Sequence, residues 1–168
     1  VDPLIVGGGQ ERDRRSGTHN VAGIVAMAAA LVETDAERPA ELGRIAALRD
    51  RLVGGLLAEL DGVRETVPAE HKIAGSAHVM FDGVENEELL YVLDERGVCA
   101  SAASACASGA MDPSHVLAAM GVERSWAGGA LRMTLGRTTT QDDVDVAVDV
   151  VGDAVRRLRA TGRSPVAS

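Results

Sequence analysis

The chain has 168 residues, and its 25 acidic and 17 basic side chains give a net charge of -8 at neutral pH. That balance lacks the basic surplus that nucleic-acid binding requires, while the length supports one domain with a real core. No run of about 18 apolar residues argues for a membrane span, and two cysteines with no secretory signal ahead of them fit a reducing cytoplasm better than a disulfide framework. Aromatic residues are nearly absent, with single copies of Phe81, Tyr91 and Trp126, so the core must be built from Ala, Val, Leu, Ile and Met.

"PLIVGGGQERDRRSGTHN" begins with a short apolar run, Leu4 to Val6, and turns Gly-rich and charged, as a strand running out into a loop would. After Asn20, Ile24, Ala28 and Leu31 recur at helical spacing, and Ile45, Leu48, Leu52 and Leu56 repeat the pattern further on. Pro39 lies between them and predicts a kink or break. "VRETV" and "AHVMF" read as strands flanking the turn-like "PAEHKIAGS". "ENEELLYVLDERG" reads as a helix with an acidic first turn and Gly97 at its end. "VCAS" is a strand, and "DPSHVLAAMG" a short helix with Asp112 as N-cap, Pro113 at its first position and Gly121 past its end. "GALRMTLG" has the alternation of a half-buried strand. "TTTQDDVDVAVDVVGDAVRRLRA" is an amphipathic helix whose buried stripe is Val144, Ala147, Val148, Val151, Val155 and Leu158, and "TGRSPVAS" should fray. The pattern is two-layered α/β without internal repeats.

One window carries chemistry. In "SAASACASGAMDPSHV", residues 101–116, Cys106 is surrounded by Ser104, Ala105, Ala107, Ser108 and Gly109. A structural cysteine would sit among Leu, Ile and Val, because a free thiol packs as a small hydrophobe. Small residues fill no core and build no rigid element, so the window reads as a surface loop carrying a reactive group. The alternative is a Ser/Ala linker that happens to hold a cysteine.

"GGGQERDRRSGT" at 7–18, "SACASGAMDPSHVLAAMG" at 104–121 and "LRMTLGRTTTQDDVD" at 131–145 resemble, in order and spacing, the cysteine desulfurases. These are pyridoxal-phosphate enzymes of the class V aminotransferase-like group, and the likeness is to the branch with a long catalytic loop. The resemblance spans nearly the whole chain but only the C-terminal part of the family. It implies the small C-terminal domain of a fold-type-I pyridoxal-phosphate enzyme. Residues 1–20 would be the end of the large cofactor-binding domain, 21–160 the small domain with the cysteine loop at 99–112, and 161–168 a flexible tail.

It also implies that Cys106 attacks the sulfur of bound L-cysteine, yielding alanine and an enzyme persulfide. Small neighbours would let that thiol swing out to an acceptor or iron-sulfur scaffold protein, where Cys106 could also serve as a transient metal ligand. Arg132 matches the arginine that grips the substrate carboxylate, a planar two-pronged contact. Without the motif, Arg132 would read as a strand-end arginine paired with a surface acid. Thr18 matches a residue that reaches the cofactor phosphate across a homodimer, while its ordinary reading is a helix cap. The segment that would hold the cofactor's ring lies outside these residues, so the chain alone is expected to be inactive. Other readings are a sulfur-carrier or interaction module, in which Cys106 accepts a persulfide made elsewhere, and a selenocysteine lyase.

Several features are decoys. Lys72, the sole lysine, follows His71 in "EHK" but comes after "RSGT", where the family's lysine precedes it, so it reads as a turn residue. Cys99, in apolar "GVCAS", reads as a buried, inert thiol. "GGG" at 7–9 lacks the following Lys-Ser/Thr of a phosphate loop. Arg12 and Arg15 are offset by Glu11 and Asp13 and read as fold support.

Overall fold

The computed structural model describes residues 2–102 and 114–162. The order of elements is helix α1 (Val21–Glu59), strand β1 (Val63–Glu65), a 3-10 turn at Ala69–His71, strand β2 (Ser76–Phe81), helix α2 (Asn86–Glu95), helix α3 (His115–Ala119), helix α4 (Arg124–Ala127), strand β3 (Ala130–Thr134) and helix α5 (Gln141–Thr161). The chain divides into two compact units, 1–39 and 40–168.

In the first unit the segment before α1 folds on itself. Ser16 donates its amide to the Ile5 carbonyl and its hydroxyl to the Gly8 carbonyl, and it is buried. The strand expected at Leu4 to Val6 is not there; the run forms bends. Three apolar residues with no neighbouring strand cannot build a ladder, and the Ile5 carbonyl is met by the Ser16 amide instead. Asn20 starts α1 by accepting the Gly23 amide on Oδ1. In its first half Ile24, Val25, Met27, Leu31 and Val32 are exposed.

Of the kink or break expected near Pro39, the break is absent, since α1 runs through it as one helix of 39 residues. A mid-helix proline removes one hydrogen bond and crowds the preceding turn, at about 3 kcal/mol. The Ala, Leu, Glu and Arg residues on both sides are strong helix formers that carry the helix across it. The boundary between the compact units nevertheless falls at this residue.

In the second unit the three strands form an antiparallel sheet in the order β1-β2-β3. Alternation sends Ala77, Val79, Phe81, Leu131 and Met133 to one face, all buried. They pack with Leu52, Val53 and Leu56 of α1, Leu89 and Leu93 of α2, and Val144, Val148, Val151 and Val155 of α5. The expected α5 stripe is therefore the buried one, with Ala147 and Leu158 packed at its margin. The helix starts on a reciprocal cap in which Thr140 Oγ1 accepts the Asp143 amide and the Asp143 carboxylate accepts the Thr140 amide. At its other end Arg159 donates to the carbonyls of Asp61, Gly62 and Asp82, tying the helix to the ends of the sheet.

Gly97, at φ 76°, ends α2 as expected. Helix α3 starts at His115 with Ser114 in the cap position; Asp112 and Pro113, expected there, lie outside the described residues. Helix α4 was not expected. It sits with α3 over the second face of the sheet, where Met80, Leu117, Ala127 and Ala130 form a smaller cluster flanked by Val122 and Trp126. Gly129 permits the crossing back into β3, because a Cβ there would lie 2.0 Å from the Phe81 carbonyl oxygen.

Candidate functional site

Arg132 is the middle residue of β3, and its side chain points away from the main core. Its strand neighbours Leu131 and Met133 are buried while Arg132 is exposed. On one side it stands opposite His78 of β2. On the other it forms an isolated antiparallel bridge with Ser101. The Ser101 amide donates to the Arg132 carbonyl at 2.9 Å, and the Arg132 amide donates to the Ser101 carbonyl at 2.7 Å. The expected "VCAS" strand thus exists as a single bridge at Ser101.

The row extends past His78. The Thr66 amide donates to the His78 carbonyl, and Thr66 Oγ1 lies 2.5 Å from His78 Nδ1. Thr66, His78, Arg132 and Ser101 therefore stand side by side across the strands, and His78 and Arg132 share the face opposite the main core. The desolvation of the half-buried His78 ring, and next the positive charge of Arg132, hold its pKa below the ordinary 6.5. Diagonally across, Arg64 of β1 places its guanidinium 4.0 Å from the centre of the Trp126 ring. Its Nε is buried without a hydrogen-bond partner.

The cysteine window continues from this bridge. Ala102, directly after Ser101, is buried, and residue 103 is the first beyond it. Cys106 lies outside the described residues. Cys99 corrects its expectation: it is exposed, not buried. The apolar context of "GVCAS" misleads because the segment alternates. Val98 and Ala100 pack against the core and turn Cys99 the other way.

Thr18 belongs to the first unit and Arg132 to the second. Thr18 is exposed just ahead of the Asn20 cap, and its carbonyl, like that of Gly17, accepts a hydrogen bond from Arg15 Nη1. Arg15 so supports the turn, as expected. His19 Nε2 and Glu11 Oε1 lie 2.6 Å apart.

These residues fit a pyridoxal phosphate only in part. The Thr18 hydroxyl can meet a phosphate oxygen. No described group can bind the ring through an imine, because the sole lysine, Lys72, is committed elsewhere. Its Nζ is 2.6 Å from Glu65 Oε1, and its side chain is only 6% exposed. Lys72 was expected in a turn; it lies in the irregular stretch just after the 3-10 turn and is anchored rather than free. No group of three or more metal-ligating side chains occurs among the described residues, and no described helix is long and apolar enough to cross a membrane.

His78 is the site residue that sequence reading missed. The signal was a polar side chain at the outward position of "SAHVMF", but its meaning depends on the register that sets it opposite Arg132.

Comparison with known proteins bears on the family and the fold. The family model described as "Aminotransferase class-V" matches residues 7–146. An "IscS-like cysteine desulfurase" of Mycobacterium tuberculosis is 48% identical over 159 residues, covering 94% of this chain and 40% of the relative. A "Cysteine desulfurase IscS" of Methanosarcina thermophila is 41% identical over 166 residues, covering 95% of this chain and 39% of the relative. Among solved structures, a "NIFS-LIKE PROTEIN" superposes with a TM-score of 0.79 at 33% identity, over 94% of this chain and 40% of that one. The chain thus spans about two fifths of the length of the relatives it matches. That family generally implies pyridoxal phosphate, and the fold is part of the NifS-like fold. On the extent of the match to the family model, the chain belongs to the class-V aminotransferases.

Proposed function

We propose that the chain forms the substrate-clamping and sulfur-accepting part of a cysteine desulfurase. Arg132 takes the carboxylate of L-cysteine in a two-pronged contact, which fixes the rest of the amino acid by orientation. The Cys106 thiolate forms a bond to the substrate's sulfur as the substrate's C–S bond breaks. The electron pair of that bond stays on carbon, which takes up a proton and leaves as alanine, and Cys106 keeps the extra sulfur as a persulfide. The persulfide then passes to an acceptor for iron-sulfur cluster assembly or thio-modification. Thr18 contacts the cofactor phosphate of a second subunit, and groups outside these residues hold the ring. Residues 1–20 close the large domain in this reading, and 21–160 form the small one.

The observation that supports this reading best is the Ser101–Arg132 bridge. Cys106 follows Ser101 by five residues, so the chain stands beside the arginine that would hold the substrate five positions before the thiol. The test is mass mapping of an assembled desulfurase carrying this segment, after reaction with L-cysteine. A one-sulfur gain on the Cys106 peptide, matched by alanine and lost in Cys106→Ala, is expected. Alanine formation that survives Cys106→Ala would overturn the assignment. Sulfur loaded on Cys106 from a persulfide donor, with no alanine made, would instead assign a carrier.

A further inference from the structure

We propose that His78 is a positioning residue of the carboxylate subsite, set by Thr66 against Arg132 so that carboxylate binding and proton uptake at the imidazole are coupled. This rests on the assignment of Arg132 to the substrate carboxylate and adds to it a second residue and a pH dependence.

The geometry comes from the sheet. His78 and Arg132 are opposed across β2 and β3, and residues opposed in an antiparallel pair project from the same face. Thr66 holds Nδ1 at 2.5 Å, which restricts rotation of the ring and leaves Nε2 without a hydrogen bond to another described residue. A histidine half-withdrawn from water beside a guanidinium is held neutral by both influences, burial being the larger. A neutral imidazole does not compete with the arginine for an anion, and through Nε2 it can supply either a donor or an acceptor.

Among the described residues, these charged and titratable groups lie on the strands and segment around it. From β3 there is Arg132; from β1 there is Arg64, engaged with Trp126. The segment before Ser101 carries Cys99. Glu65 and Lys72 neutralise each other as an ion pair. No described carboxylate thus opposes Arg132 in holding the imidazole neutral. A carboxylate docking on Arg132 would bring the first negative charge to this row. It would offset the arginine's field at His78 and favour the protonated ring. Linkage makes the effect reciprocal: each unit by which the carboxylate raises the imidazole's pKa tightens carboxylate binding about tenfold at low pH.

The test is an NMR titration of the histidine ring protons of the 168-residue chain, with His78 assigned by His78→Asn. L-Alanine is the carboxylate probe, and L-alaninamide, which lacks the carboxylate, is its control. Three results are expected. Arg132→Gln raises the His78 titration midpoint. L-Alanine raises it in the wild-type chain while L-alaninamide does not. L-Alanine affinity increases as the pH falls, and in His78→Asn that increase disappears. An unchanged midpoint in Arg132→Gln would overturn the pairing itself. L-Alanine that binds through Arg132 yet leaves His78 unmoved would overturn the proposal and spare the assignment of Arg132. L-Alanine binding that survives Arg132→Gln unchanged would overturn the Arg132 assignment, and the coupling with it. Because the Arg132→Gln and L-alanine arms keep His78 in place, they decide the matter even if His78→Asn fails to fold.

Discussion

Ser101 and Arg132 exchange both of their backbone hydrogen bonds, at 2.9 and 2.7 Å, at the open side of β3. The segment that leads into the cysteine window is therefore registered at Ser101 to the strand that presents Arg132. Ser101→Pro removes the donor of one of these bonds and a ladder position that proline cannot fill. In an assembled desulfurase it should lower cysteine turnover well below that of Ser101→Ala, which keeps both backbone bonds. Equal turnover in the two variants would show that the bridge does not set the loop.

Arg132→Lys keeps the charge and loses the planar fork. Under the proposed function, kcat/KM for L-cysteine should fall by about a hundredfold, because a misdirected substrate costs orientation as well as affinity. The fold should persist, since the Arg132 side chain is exposed and packs into no core. Unchanged kinetics would remove Arg132 from the site.

Under the proposed function Cys106, and not Cys99, accepts the sulfur. Because Cys99 is exposed, it should be alkylated in the native chain, so labelling alone does not identify the sulfur-accepting thiol. Cys99→Ala should leave persulfide formation intact in the assembled enzyme, and Cys106→Ala should abolish it. Loss of the persulfide in Cys99→Ala would reverse the assignment.

What the sequence made legible follows from where the physics is local. The α5 stripe from Val144 to Val155 was readable because one buried face repeats at helical spacing over a long element, and Gly97 was readable because a left-handed residue marks a helix end. Helix α4 was not, since Arg124–Ala127 is too short to show a period. The helix through Pro39 exceeded a local rule, because strong helix formers on both sides outweigh one missing bond. Cys99 and His78 were misjudged or missed for a shared reason. Which face each occupies depends on alternation and pairing with a strand distant in sequence, and composition does not carry that information.

The pH dependence of stability follows from the direction of each shift. His78 has a folded pKa below its unfolded 6.5. Between the two values the unfolded chain binds a proton that the folded chain does not, so stability is full above 6.5 and falls with pH below it. The fall levels off once the folded His78 also protonates. Urea midpoints should therefore drop between pH 7.5 and pH 5.5, and the drop should shrink in His78→Asn. A drop of the same size in that variant would assign it to another group. Asp143, whose pKa is lowered chiefly by the Thr140 amide, and Asp145, lowered chiefly by Arg51, contribute in the same sense but further down. Their stabilisation is present above the unfolded 3.8 and lost as pH falls through their folded values. Both are solvent-exposed, so added salt should weaken the effect of the Asp145–Arg51 pair.

The chain by itself should not turn over cysteine, even with pyridoxal phosphate supplied. Under the proposed function, sulfur transfer to Cys106 would need an electron sink held in fixed relation to the thiol, and the protein's share of that work would be to grip the cofactor's ring and phosphate. The described residues offer the phosphate one hydroxyl, Thr18, and the ring no lysine that is free to react. Lys72 is tied to Glu65 at 2.6 Å and nearly buried; to form an imine it must leave that pair and deprotonate, abandoning Glu65 without its partner. Purified chain mixed with pyridoxal phosphate, L-cysteine and a reductant should therefore show no sustained alanine or sulfide production beyond that of the cofactor alone. Lys72→Ala should leave the absorption spectrum of the mixture unchanged. Multiple-turnover alanine formation that disappears in Cys106→Ala would show that these residues hold the cofactor after all, and a loss of imine absorption in Lys72→Ala would name the group that does so.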